Sequence, residues 1–323
     1  MESSWYCSNV TNSQNFSSNH TSLPTEDGTG YSYASWLFQW AFAATTATIV
    51  SGAVAERCTV SAYICYASCL VCFIYPVIVC CVWNAEGYGS AWRTTDKLFG
   101  CGVLDFGACA SVVVWLHSIR LCVISHHPSI HPSIHPSIHP CIHPSMHPFI
   151  SSPCDALETF TAGSGVVHMT GGVAALVGAT LIGPRRAYLV NELQVPTYGP
   201  IFQTLGVLIL WFGWFGFNGV STLYIVGYAE VAAKTMVVTT IAAGAGAVVT
   251  LVVGTVLEGR DPETGKRSLR LEHANNGALA GLVSITASCS VVEPLGAVIV
   301  AGLGGVVYLY ACRALEHHGI DVS

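Results

Sequence analysis

The residue best placed to do chemistry is His168. It stands in Ala162-Gly-Ser-Gly-Val-Val-His-Met-Thr-Gly-Gly-Val-Ala-Ala-Leu-Val-Gly-Ala-Thr-Leu-Ile-Gly-Pro-Arg185, a stretch with no charged side chain before Arg185. About 20 apolar residues suffice to cross a bilayer, so this run can span one. An imidazole at membrane depth costs free energy and usually faces a cavity or a pathway. The glycines let neighbouring helices approach closely. The pattern predicts one polar group in an otherwise apolar lumen; the plain alternative is a histidine satisfied by an adjacent helix.

Two other groups have chemically suggestive spacing. From His127 a four-residue unit repeats, His127-Pro-Ser-Ile through His147-Pro-Phe-Ile. Histidine-rich tracts can hold metals, but proline at every fourth position removes the amide donors a helix needs. The histidines therefore do not line one helical face, and no metal site is assigned. Cys69-Leu-Val-Cys72 has the spacing of a redox pair, without the soluble βαβ setting that would support one. Cys65, Cys69, Cys72, Cys80 and Cys81 lie in apolar segments, where a thiol behaves as a small hydrophobe.

The elements that position these groups are membrane helices. Charged residues make up 9% of the chain and apolar ones 52%. Soluble domains carry about 25% charged residues, so the chain reads as an all-α polytopic membrane protein. The net charge of −6 is spread thinly and points away from nucleic acid. Candidate spans are Ser32–Ala53, Val60–Trp83, Ala162–Ile182, Ile201–Val220, Val231–Leu257, Asn275–Cys289 and Leu295–Leu315. The run Cys109–Ile124 is excluded, because it holds His117 and Arg120 and would invert every later loop. Residues 1–30 form a polar leader with sequons at Asn9, Asn15 and Asn19, which suggest an extracellular N-terminus. Alternate loops then hold Arg57, Arg185 with Arg186, the run Arg260–Arg270, and Arg313. Outside the excluded run, the opposite loops hold only Arg93 and Lys97, a positive-inside pattern.

Gly102-Val-Leu-Asp-Phe106, joined to Ala162-Gly-Ser-Gly-Val-Val-His168 and continued through Gly183-Pro-Arg185, resembles the signature of the ammonium transporter family (Amt/Mep/Rh). Phe38-Gln-Trp-Ala-Phe42 with Gly52-Ala-Val-Ala-Glu-Arg57 resembles its third helix, Val82-Trp83 the end of its fourth, and Gly213-Trp-Phe-Gly-Phe-Asn218 with Ser221 its sixth. The order is the family's. The resemblance divides the chain into the leader, a first transporter part at 31–106, an inserted segment at 107–161 expected to be extended or disordered, and a second part at 162–323. It implies about seven of the family's eleven helices, the third to the ninth, with four missing: the first two and the last two, among them the one bearing a second pore histidine. His317 and His318 sit at a helix end beside Glu316 and read as solvated, not as a substitute.

The resemblance also implies a function: ammonium transport, without enzyme activity or cofactor, by a homotrimer in the lipid bilayer of the plasma membrane. Phe42 and Trp83 would offer ring faces to the cation at an outer vestibule, and Ser221 a hydrogen-bond acceptor. Taken singly, aromatics at helix ends are ordinary interfacial anchors. Phe38 or Phe42 with Phe217 would form a hydrophobic gate, and ammonia would cross past His168 after losing a proton. Asp105 would start the interrupted helix as its N-cap, attract the cation, or both. The insertion separates Asp105 from that helix, so the expectation is that the carboxylate need not cap it. The chain by itself is expected not to transport. The alternatives are an Rh-like gas channel, or a non-transporting product whose His-rich segment binds metal or a partner.

Overall fold

A computed structural model describes residues 29–84, 86–90, 105, 163–185, 199–223, 227–260 and 265–321. The leader's sequons, the excluded run Cys109–Ile124 and the His-Pro tract lie outside the described residues. Among the described residues, seven helical elements follow one another: α1 (Thr29–Val54), α2 (Val60–Val82), α3 (Ser164–Ile182), α4 (Pro200–Thr222), α5 (Ala229–Glu258), α6 (Leu271–Thr286) and α7 (Pro294–His317). They fall into two compact units. One contains α1, α2 and α3 from Val166 to Pro184; the other contains Asp105, the first turn of α3 and α4 to α7.

Six of the seven are long and apolar enough to cross a membrane. The seventh expected span is corrected: its helix covers Leu271–Thr286, not Asn275–Cys289. Sixteen residues rise about 24 Å, short of a hydrocarbon core about 30 Å thick. The sequence shows why. Polar Glu272, His273, Asn275 and Asn276 open the helix, ahead of the apolar run, and residues 287–291 turn out of it before Pro294 begins α7. Its inward residues Asn275, Gly277, Ala278, Gly281, Leu282, Ile285 and Thr286 are all buried.

In the first unit, Thr59 caps α2, its hydroxyl accepting from the Ala62 amide at 3.3 Å. Pro76 lies inside α2, where it can donate no amide hydrogen bond. A wider π-turn at Leu70–Ile74 immediately precedes it and absorbs the mismatch. The helices α1 and α3 meet through small residues. A Cβ on Gly171 would stand 2.9 Å from Ile49 Cβ, and one on Gly178 3.2 Å from Val54. Tyr66 donates to the Ala47 carbonyl at 3.0 Å, and Arg57 Nη1 to the Gly183 carbonyl at 3.3 Å. These bonds fix α2 and the α1–α2 turn against their neighbours.

In the second unit, α5 is the spine against which α6 and α7 lie. The contact is backbone to backbone: a Cβ on Gly281 would fall 2.3 Å from the Ala242 carbonyl oxygen. Thr250 sits between α6 and α7, and a Cβ on Gly305 would be 2.2 Å from its Oγ1. Val238, Ala242, Ile285, Cys289, Ala297 and Ala301 form the adjoining apolar core. On the outer surfaces of the two units, Leu181 of α3 and Ile201 and Phe212 of α4 are 80%, 79% and 77% exposed. Such residues suit hydrocarbon better than water.

Candidate functional site

The first unit brings three of the expected residues together. Phe38 and Phe42 are four apart on α1, so they share a face, and their ring centroids are 4.3 Å apart. Trp83 follows the last residue of α2, its amide still donating to the Val79 carbonyl at 2.8 Å. Its ring meets Phe42 edge-on at 5.7 Å and 72°. Phe42 is buried, while Phe38 and Trp83 are half-buried. The backbone after Trp83 folds back tightly. Gly89 donates to the Cys81 carbonyl at 3.0 Å, and Gly87 passes so close that a Cβ would lie 2.3 Å from that oxygen. Cys80 is disulfide-bonded, not the small hydrophobe expected of it. A covalent tie at the end of α2 restrains the segment that carries Trp83.

His168 occupies the π-turn Ser164–Met169 that opens α3, just before regular α-helix resumes at Thr170. Its ring is half-buried, its Nε2 is shielded from solvent, and Val166 and Val167 beside it are fully buried. Gly163 enters the turn at φ 72°, a left-handed conformation that suits glycine.

Asp105 corrects an expectation. Its carboxylate, fully buried, accepts a hydrogen bond from the Gly165 amide across 60 residues of sequence. The carboxylate does cap the helix bearing His168, despite the intervening segment. A helix N-terminus leaves unsatisfied amides and a partial positive charge, and spatial proximity satisfies both as well as chain adjacency does.

In the second unit, Phe217 lies on a further π-turn, Phe215–Gly219, which passes into the short 3-10 turn Val220–Thr222. Its ring centroid is 5.9 Å from that of Trp214, which donates to Thr286 Oγ1 at 3.0 Å. Ser221 is fully buried and donates to the Phe217 carbonyl at 2.6 Å. Its proton is thus committed, and the hydroxyl has lone pairs left to offer.

Sequence comparison gives this arrangement a family. The ammonium transporter family matches residues 5–118 and 151–323, leaving out 119–150 and with it the whole His-Pro tract. The chain belongs to the ammonium transporter family. It is similar to ammonium transporter 1 member 2 of Oryza sativa subsp. japonica, at 34% identity over 289 residues, covering 84% of this chain and 45% of the relative. It is also similar to ammonium transporter Amt2 of Archaeoglobus fulgidus, at 31% identity over 296 residues, covering 88% of this chain and 48% of that one. Among solved structures, Candida albicans Mep2 shares the fold, with a TM-score of 0.57 at 22% identity over 87% of this chain and 46% of that one. The chain spans about half the length of the relatives it matches.

Two features of this ammonium-transporter-family chain escaped the sequence reading. Asn218, fully buried, donates from Nδ2 to Thr239 Oγ1 at 3.0 Å, and Thr239 donates to the Thr235 carbonyl at 2.7 Å. This chain ties the distorted end of α4, with Phe217 and Ser221, to α5. The signal was an amide at membrane depth, as informative in principle as the imidazole. Arg185 grips Asp321 through Nε at 2.8 Å and Nη2 at 2.9 Å, and its backbone amide donates to the same carboxylate at 2.9 Å. Periodicity carries no trace of such a pair, because its members lie beyond the ends of α3 and α7.

Proposed function

We propose that this chain is the pore-bearing part of an ammonium transporter of the plasma membrane that works as a homotrimer. The Phe38–Phe42–Trp83 cluster carries the reading. Ring faces attract a small cation by about 0.5–2 kcal/mol each, and a half-buried indole beside a buried ring suits a partly dehydrated ion. The Cys80 disulfide supports an exterior mouth at this end of α2, since disulfides persist in oxidising compartments. Ser221, its proton already donated, accepts a hydrogen bond from the ion. Phe217 is assigned to the gate by family resemblance.

Beyond the mouth an unpaired ammonium ion would lose its hydration at a high cost. It therefore parts with its proton, and ammonia passes His168, whose imidazole can accept or donate a hydrogen bond as its tautomer dictates. The Asp105 cap is assigned the structural role, holding the turn on which His168 sits. No enzyme activity or cofactor is involved.

The test is uptake of ammonium by a full-length protein in which this chain is completed with the family's remaining helices. At equal surface expression, Trp83→Leu weakens the apparent affinity for ammonium by roughly 2- to 30-fold, the range corresponding to one lost ring. His168→Ala changes flux or selectivity. Affinity, flux and selectivity unchanged in both variants would refute the assignment.

A further inference from the structure

We propose that Thr239 of α5 is a positioning residue for Ser221: it holds the distorted end of α4 at the angle that presents the Ser221 hydroxyl to the ion. The inference rests on the proposed hydrogen bond from ammonium to Ser221 and adds the group that sets its geometry.

The end of α4 has little of its own to fix its shape. It widens into the π-turn Phe215–Gly219 and then tightens into the 3-10 turn Val220–Thr222. That change of winding decides where Ser221 points. The hydroxyl donates to the Phe217 carbonyl at 2.6 Å, a bond within the same segment. It orients the side chain on the turn but cannot orient the turn. The segment closes at Leu223 with φ 59° and ψ −23°, a left-handed conformation that bulky side chains rarely adopt. Such a conformation persists only where its surroundings over-determine it.

Those surroundings are on α5. Asn218, between Phe217 and Gly219 in the π-turn, donates from Nδ2 to Thr239 Oγ1 at 3.0 Å. Thr239 gives its own proton to the Thr235 carbonyl at 2.7 Å, which fixes the direction of the lone pairs left for Asn218. Asn218, Thr235 and Thr239 are fully buried, so an amide deprived of Thr239 would stay unsatisfied. Beside it, Gly219 lies against Met236, and a Cβ there would stand 3.0 Å from the Met236 Cγ. Apolar packing sets how close the turn lies but has no direction, whereas the Asn218–Thr239 bond has one. Without that bond the turn stays packed yet can rotate, and Ser221, three residues further on, rotates with it.

The test is the half-saturating ammonium concentration for uptake by the completed full-length protein, at equal surface expression. Ser221→Ala should raise it at least about tenfold, the loss of one hydrogen bond to a charged group. Thr239→Val keeps the shape and removes the hydroxyl, and should raise it at least about threefold, a part of that loss. Thr239→Ser restores the hydroxyl and should return it to within about twofold of the wild type. Added to Ser221→Ala, Thr239→Val should raise it no further, because no hydroxyl is left to position. The pair Asn218→Leu with Thr239→Val leaves no orphaned amide, which spares folding, but it lacks the tie and should keep the raised value. Amide exchange at residues 219–223 of the chain in lipid nanodiscs reads the tie without transport: Thr239→Val should speed it at least about fivefold, and Thr239→Ser should not. A further rise in the Ser221→Ala background, no rescue by serine, a wild-type value in the paired variant, or wild-type exchange in Thr239→Val overturns the positioning role. An effect of Ser221→Ala with none of Thr239→Val overturns it while leaving Ser221 as the acceptor; no effect of Ser221→Ala removes both.

Discussion

Replacing Asp105 should expose the first turn of the helix that carries His168. The carboxylate is fully buried and accepts from the Gly165 amide. Losing a capping oxygen costs about 0.5–2 kcal/mol, and a buried amide left without a partner costs about 1–3 kcal/mol. These overlap, so Asp105→Ala should weaken the turn by about 2–4 kcal/mol, or roughly 30- to 700-fold in its opening constant. Asp105→Asn keeps an acceptor oxygen and loses only the charge–dipole attraction, about 0.3–1 kcal/mol and up to about 2 in a buried setting. Amide exchange at residues 165–169 of the reconstituted chain reads both values. Wild-type protection in Asp105→Ala, or equal damage from Asn and Ala, would refute the capping reasoning.

Two further predictions concern the frame. Gly246→Ala places a Cβ 2.3 Å from the Gly277 carbonyl oxygen, whereas Gly244 has open space. The first should destabilise by about 1–3 kcal/mol and the second stabilise by up to about 1 kcal/mol; equal thermal midpoints would contradict the backbone contact. Asp321→Ala should cost about 2–4 kcal/mol, less than for a wholly dry ion pair, because Arg185 is 22% exposed. Arg185→Lys should fall between wild type and Asp321→Ala, since lysine keeps the charge but not the fork, and a loss as large as that of Asp321→Ala would show that charge contributes little.

Sequence alone made six long helices and the family legible, because both are carried by local signals: sustained apolarity and short motifs in order. It misplaced α6, because that helix begins in polar residues that meet partners on α4, not water. Hydropathy cannot distinguish a polar residue in solvent from one such as Asn275, buried against Gln203 and Thr204. Helical spacing is compatible with the Phe38–Phe42 pair, four residues apart on α1, though the expectation paired one or the other with Phe217; the edge-on approach of Trp83 accompanies a tight turn at Gly87 and Gly89. Asp105 was legible as a capping residue, but whether it still caps across 60 residues of sequence was not, because sequence order does not say which ends meet. Space is the actual condition, and sequence separation enters only through entropy.

That entropy can be weighed against the cap. Joining Asp105 to Gly165 closes a connection of 60 residues. As a free chain it would cost about 0.6 kcal/mol per doubling of length, or about 2.4 kcal/mol more than a four-residue connection. The cap's estimated 2–4 kcal/mol is of the same size, so the bond can persist with the segment in place. Deleting 107–161 should then strengthen the first turn of α3 by up to about 2.4 kcal/mol, seen as at most about a 60-fold fall in its opening constant. Asp105→Ala should then cost up to about 2.4 kcal/mol more once the segment is deleted, because only a chain that keeps the carboxylate gains from bringing the ends together more often. If Asp105→Ala had no effect while 107–161 is present but weakened the turn once it is deleted, the segment would be holding the carboxylate away from Gly165. The capped geometry would then be wrong for the chain as it stands.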